Sequence, residues 1–260
     1  MQGEARFRRL YLGSIAGPLG PATPFNGYLI DHPKGLTLID TGFGKTLALL
    51  GGMVDPPADI SAGEFTVNGQ KFPWIRRATT TALADHGVEA GDIKFIINTH
   101  VNDHAGDNHL FPNATFIIQE PEVTWARQAF SAKNLTEWDF PGAKIEQLQR
   151  EDVEILPGLK CIFTPGHTPG HQSVLYERDG YKMLFCGDAV YTADIWSDPG
   201  KVVPGTMLYH LQVQMQERGL ETWRESVAKL AALGVDEAHF AHDSHYMHFG
   251  HRHGHHHGHG

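Results

Sequence analysis

The chain has 260 residues, enough for one large domain or two small ones, and shows no linker-like stretch that would divide it. Its net charge of −9 excludes the basic footprint of a nucleic-acid binder, and no run reaches the ~18 apolar residues of a membrane span. The two cysteines, Cys161 and Cys186, give no disulfide framework and read as small core residues inside strands.

In chain order, 5–12, 26–31 and 36–40 read as strands, with the turn-rich Gly17 to Pro24 stretch between the first two. Residues 45–73 read as an irregular insertion carrying Phe65 and Phe72. A helix is expected from Trp74 to His86, stopped by Gly87. The apolar run Ile93–Ile97 and residues 114–118 read as strands, and Pro121 opens a helix to about Phe130. Residues 132–150 carry no clear pattern. Strands follow at 153–156, 159–163, 172–177 and 182–186, with Arg178-Asp179-Gly180 as a hairpin turn. Helices at 204–219 and 220–233 precede a last strand near 237–241. Strand blocks with helices between and after them suggest two sheets covered by helices. The Gly/His-rich tract 248–260 cannot build a core and is expected to be a disordered tail to a single domain spanning 1–247.

The strand ends carry the chemistry. Ile93–Ile97 runs into Asn98-Thr99-His100-Val101-Asn102-Asp103-His104-Ala105-Gly106. Ile162-Phe163 runs into Thr164-Pro165-Gly166-His167-Thr168-Pro169-Gly170-His171. Met183–Cys186 ends in Gly187-Asp188, and Glu237–Ala241 delivers His242-Asp243. Imidazoles and carboxylates gathered from four distant segments are the donor set of zinc or a similar divalent ion.

These segments resemble the metallo-β-lactamase superfamily, in particular its N-acyl-homoserine-lactonase-like branch. That family carries T-H-x-H-x-D-H-A-G, T-P-G-H-[ST]-P-G-H, an Asp after a strand and a late histidine. Leu38-Ile39-Asp40-Thr41-Gly42 is similar to its early D-T-G strand. The resemblance runs from about residue 25 to 245. It implies an α/β fold, an αββα sandwich of two mixed sheets flanked by helices. It also implies His100, Asp103, His104, His171, Asp188 and His242 as metal ligands, with Asp188 shared. The cofactor it implies is Zn2+, one or two per chain, with Fe or Mn as alternatives. His171 is expected to be the ligand of the P-G-H-T-P-G-H run, leaving His167 a structural loop residue. Asp40 is expected to orient a neighbouring ligand rather than touch metal.

One departure stands out. Aligned on Asp103-His104-Ala105-Gly106, the first motif is one residue short, and Asn102 stands where a histidine is expected. Three outcomes follow: a reshaped loop holding two ions, a loop holding one, or lost hydrolysis.

The implied chemistry is hydrolysis of a lactone, or a related ester or amide, by metal-bound hydroxide. Asp103 is expected to orient the water or carry its proton, and Tyr191 to contact the substrate oxygen. The expected partner is a small molecule, with neither nucleic acid nor membrane, acted on by a cytoplasmic monomer or homodimer. Two rival readings are a mononuclear iron oxygenase of the persulfide-dioxygenase type and a non-catalytic metal- or partner-binding protein. Trp138, Trp196 and Met207 are candidate pocket residues, although packing roles suit such aromatics equally well. His109, Asp243 and His245 are read as surface or supporting groups.

Overall fold

A computed structural model describes residues 6–17, 19–44, 46–47, 52–53, 60–129 and 136–250. The first sheet is built from β1 (Phe7–Gly17), β2 (Gly20–Ile30), β3 (Leu36–Ile39), β6 (Ile60–Val67), β7 (Gln70–Arg77), β8 (Ile93–Ile97), β9 (Thr115–Gln119) and β10 (Lys144–Leu148). Its order is β10-β9-β8-β3-β2-β1-β7-β6, and the two-residue strands β4 (Thr46–Leu47) and β5 (Gly52–Met53) pair separately. The second sheet runs β11 (Val153–Leu156), β12 (Leu159–Phe163), β13 (Gln172–Arg178), β14 (Tyr181–Phe185), β15 (Glu237–His239) and β16 (Met247–His248). Helices are α1 (Thr79–Ala84), α2 (Glu120–Ala129), α3 (Ala193–Ser197), α4 (Met207–Gln212) and α5 (Gly219–Ala231). No described helix is long and apolar enough to cross a membrane.

Strand alternation sorts the core into layers, because successive side chains point to opposite faces. Tyr28, Ile30, Ile39, Ile97 and Ile117 of the first sheet share one cluster with Leu159, Cys161, Val174, Tyr176, Met183 and Phe185 of the second. That cluster is the interior of the sandwich. Their sequence neighbours Leu29, Leu38, Ile96, Phe116 and Ile118 face the other way, against Ala82 and Leu83 of α1 and Val123 and Ala126 of α2. Ile162, Leu175 and Leu184 do the same on the far side, against Trp223, Val227 and Leu230 of α5. Each such aliphatic or aromatic side chain contributes about 1.5–3 kcal/mol when fully buried. The αββα architecture is thus written in the odd and even positions of these strands.

Several elements differ from expectation. The Trp74–His86 stretch is helical only over Thr79–Ala84, and Gln70–Arg77 is instead a strand paired with Ile60–Val67. The apolar residues read at helical spacing are shared between that strand and a short helix. Part of the 45–73 insertion and of the 132–150 stretch, and the tail at 251–260, lie outside the described residues. Within 132–150, Lys144–Leu148 adds a parallel edge strand to β9, and Trp138 is a core residue. The 204–219 helix is confined to Met207–Gln212, with Met207 exposed. At the other end, His248 still pairs with Glu237, so the ordered sheet continues past residue 247.

Two parallel pairs position the site: β3 beside β8, and β14 beside β15. Parallel neighbours end at the same edge, so the loops that leave them meet there. Glu122, fully buried on α2, ties the loops of the two sheets together by accepting the backbone N–H of Val101 (3.0 Å) and of Gly170 (3.1 Å). Burial raises its pKa despite these bonds. A Cβ at Gly170 would collide with the backbone and Cβ of Glu122. Gly170→Ala is therefore expected to cost about 1–3 kcal/mol through overpacking, read as a lowered Tm; an unchanged melt would show that the contact yields freely.

Candidate metal centre

Asp188 follows β14 through Gly187, whose φ of 59° lets the chain turn sharply beneath Thr99 and His171. Its carboxylate is 2 % exposed and is ringed by imidazoles. Oδ2 lies 3.3 Å from His100 Nε2, 3.3 Å from His104 Nε2 and 3.2 Å from His167 Nε2, and Oδ1 lies 2.9 Å from His242 Nε2.

The other nitrogen of each ring fixes what these atoms are. His242 Nδ1 lies 2.9 Å from the carbonyl of Pro24 and His167 Nδ1 lies 3.2 Å from that of Gln212. A carbonyl only accepts, so both Nδ1 atoms carry the proton and both Nε2 atoms present lone pairs. Thr99 donates its backbone N–H and its hydroxyl to Asp40, at 2.7 and 2.8 Å. With that proton committed, Thr99 Oγ1 accepts from Nδ1–H of His100 at 2.9 Å. His104 turns Nδ1 toward Asp40 Oδ2 at 3.4 Å. At His100, His167 and His242 an acceptor thus faces an acceptor, and among the described residues His100 Nε2, both ring nitrogens of His104 and Asp188 Oδ1 are buried with no hydrogen-bond partner. Lone pairs pointed at a buried carboxylate repel it unless a cation lies among them, which is what a divalent metal supplies.

Charge in the pocket agrees. Burial works against ionisation of Asp188, yet His104, His242 and His100 outweigh it and hold the carboxyl well below the usual range. Burial, then His104, push His100 well below an ordinary histidine. Burial also opposes charge on His104, but Asp188 and Asp40 prevail and push its pKa up to about 10. His100, His104 and Asp188 offer ligand atoms within 4.8 Å of one another, so the residues fit a metal ion.

His171 is placed differently from expectation. Its Nε2 accepts the backbone N–H of Asp188 at 3.0 Å, and its Nδ1 lies 2.9 Å from Thr164 Oγ1. Both ring nitrogens are committed, so His171 props the Asp188 turn, while His167 faces the carboxylate. Burial, then His167, push the His171 pKa down to about 3. The sequence signal for His167 was present, since two histidines four apart share one turn-rich loop; the reading chose between them on resemblance. Gln212 gave no signal. From the end of α4 its side chain donates to the Asp188 carbonyl and accepts the Tyr191 N–H, and its own carbonyl receives His167.

Asp103 is 7 % exposed and sits at φ 60°, as Asp40 sits at φ 65°. Left-handed backbone at two non-glycine residues of one site marks a conformation held by its surroundings. Tyr191 is buried, its ring centroid 4.7 Å from that of His242 and 5.4 Å from that of His167, and its hydroxyl donates to the Leu211 carbonyl at 3.0 Å. Burial, then Asp188 and Asp103, push its pKa well above the usual value. Asp107 does not join the cluster: it accepts from Thr79 N–H (2.8 Å) and pairs with Arg76. Asp243 accepts the Ala193 N–H and His245 is largely exposed, both supporting or surface roles as expected. An open pocket of about 610 Å³ adjoins the centre, reaching His242 past Leu19, Thr192, Lys201 and Leu208.

Residues 21–242 match the model of the metallo-beta-lactamase superfamily. The chain belongs to that family. It is 31 % identical over 232 residues to the N-acyl homoserine lactonase AttM of Rhizobium radiobacter, covering 82 % of each chain. It is also 31 % identical over 175 residues to the N-acyl homoserine lactonase AiiA of Bacillus thuringiensis subsp. kurstaki, covering 66 % of each. A solved N-acyl homoserine lactone hydrolase, with N-hexanoyl-L-homoserine at its catalytic metal centre, superposes with a TM-score of 0.67. That pair is 23 % identical, with 92 % of this chain and 93 % of that one covered. The protein is accordingly a metal-dependent hydrolase of the lactonase-like kind.

Asp40 touches Thr99 and approaches His104, so it orients two imidazoles at once. Asp40→Asn is expected to weaken zinc affinity about 10–100-fold, measured by competition with a chromophoric chelator; unchanged affinity would remove Asp40 from this role.

Proposed function

We propose that the protein hydrolyses N-acyl homoserine lactones or closely related lactones, at a divalent cation, most simply zinc, held by His100, His104 and Asp188 with His167 and His242 beside them. The observation that carries this reading is the ring of Nε2 lone pairs around the buried Asp188 carboxylate. The likeness to AttM and AiiA supports the lactone as the substrate class. When bound, the cation supplies Lewis acidity and lowers the pKa of a coordinated water from 15.7 to about 7.

The chain's own residues do the rest. Asp188 brings negative charge to the centre, and Asp40, Pro24, Thr99 and Gln212 fix the tautomers that aim the imidazoles inward. Asp103, next to His104 in the chain and buried, takes the proton that water gives up and passes it to the leaving alkoxide. Tyr191 swings its hydroxyl from the Leu211 carbonyl to the substrate oxygen, donating a hydrogen bond without adding charge. The adjoining pocket, with Leu19, Pro21, Ile195 and Leu208 in its wall, gives an acyl chain an apolar path. A cytoplasmic monomer or homodimer acting on a small molecule completes the reading.

The test is hydrolysis of N-hexanoyl-L-homoserine lactone before and after removal of metal by a chelator, with zinc added back. Activity lost and restored is expected; full activity in metal-free protein would defeat the reading. His104→Ala is expected to lower kcat/KM at least ~100-fold. Tyr191→Phe should lower kcat about 10-fold with metal content unchanged, whereas an unaltered kcat would leave Tyr191 a packing residue.

A further inference from the structure

Where a carboxylate bridges two ions, each oxygen faces one ion, and the remaining ligands divide between the two oxygens. The division around Asp188 is uneven. His100, His104 and His167 all approach Oδ2, at 3.3, 3.3 and 3.2 Å, and only His242 approaches Oδ1, at 2.9 Å. The rings of His100 and His104 lie 4.3 Å apart, and their ligand atoms share one cluster with Asp188. Metal–ligand bonds of about 2.0–2.1 Å at tetrahedral angles put neighbouring ligand atoms ~3.3–3.4 Å apart, close to the separations on the Oδ2 side. Only two residues separate His100 from Asp103-His104 in this loop, and both rings stand on the Oδ2 side of the carboxylate. The residue between them that might have completed a second set is Asn102, whose Oδ1 is buried without a hydrogen-bond partner. An amide oxygen is a weaker zinc ligand than imidazole.

We propose, building on the metal-dependent reading above, that this chain holds a single tightly bound cation on the Oδ2 side of Asp188. His100, His104 and Asp188 grip it, with His167 the next imidazole. His242 stands on the other side, its Nε2 2.9 Å from Oδ1, and is not required to retain the ion. The chain thus holds one ion where the resemblance allows two, with Asn102 in place of a histidine.

The test is metal stoichiometry in the full-length protein. The tail carries histidines that bind metal on their own, so they are first changed (His251→Ser, His253→Ser, His255→Ser, His256→Ser, His257→Ser and His259→Ser). After zinc loading and exhaustive dialysis, elemental analysis should find about one ion per chain. Cobalt(II) titration of the metal-free protein should bring the visible absorption to its plateau at about one equivalent. His242→Ala, checked for folding by circular dichroism, should keep that ion, and His100→Ala should lose it. If His100→Ala fails to fold, the cobalt titration and His242→Ala decide. Two retained ions, or an ion lost from folded His242→Ala, would overturn the single-ion proposal and leave the hydrolase reading standing. No retained ion would overturn both.

Discussion

The structure turns on one electrostatic arrangement: an ionised carboxylate, Asp188, buried at the edge of a β-sandwich and faced by imidazole lone pairs. Burying such a charge costs several kcal/mol unless it is compensated. Among the described residues Oδ1 has no hydrogen-bond partner, so compensation has to come from a cation or a proton. The fold is organised to hold this unfavourable cluster together. Two pairs of parallel strands end at one edge, Glu122 binds loops from both sheets, and Gln212 receives His167 while holding the backbone of Asp188.

Tautomer control is the second level of the arrangement. An imidazole is a useful ligand only if the inward nitrogen is unprotonated, and that is decided by what the outward nitrogen touches. Here the outward partners are the carbonyls of Pro24 and Gln212, the Thr99 hydroxyl and the Asp40 carboxylate. They come from distant parts of the chain. The site is therefore a property of the folded sandwich, and its stability and its metal affinity are linked.

Much of this was legible in the sequence. The apolar run Ile93–Ile97 read as a buried strand and is one, and the apolar runs located the ends from which Asp188 and His242 project. The β6–β7 hairpin was not legible, because Ile75, Ala78, Ala82 and Leu83 fall at helical spacing although the strand runs to Arg77 and the helix starts only at Thr79. The sequence also could not decide between His167 and His171. They lie on one loop, four residues apart, and their roles depend on whether the Asp188 N–H or its carboxylate comes to meet each ring. Gln212 was invisible for a similar reason: a glutamine at the end of a short helix acquires its role only from the groups packed on it.

The short His100–His104 loop sets the geometry of the centre: both imidazoles stand 3.3 Å from one carboxylate oxygen, Asp188 Oδ2. An anomalous difference map from zinc-soaked crystals addresses the central claim most directly. The account predicts a peak within about 2 Å of Asp188 Oδ2 and of the Nε2 atoms of His100 and His104. A map with zinc bound only elsewhere, and His104 still paired with Asp188 at the centre, would contradict it.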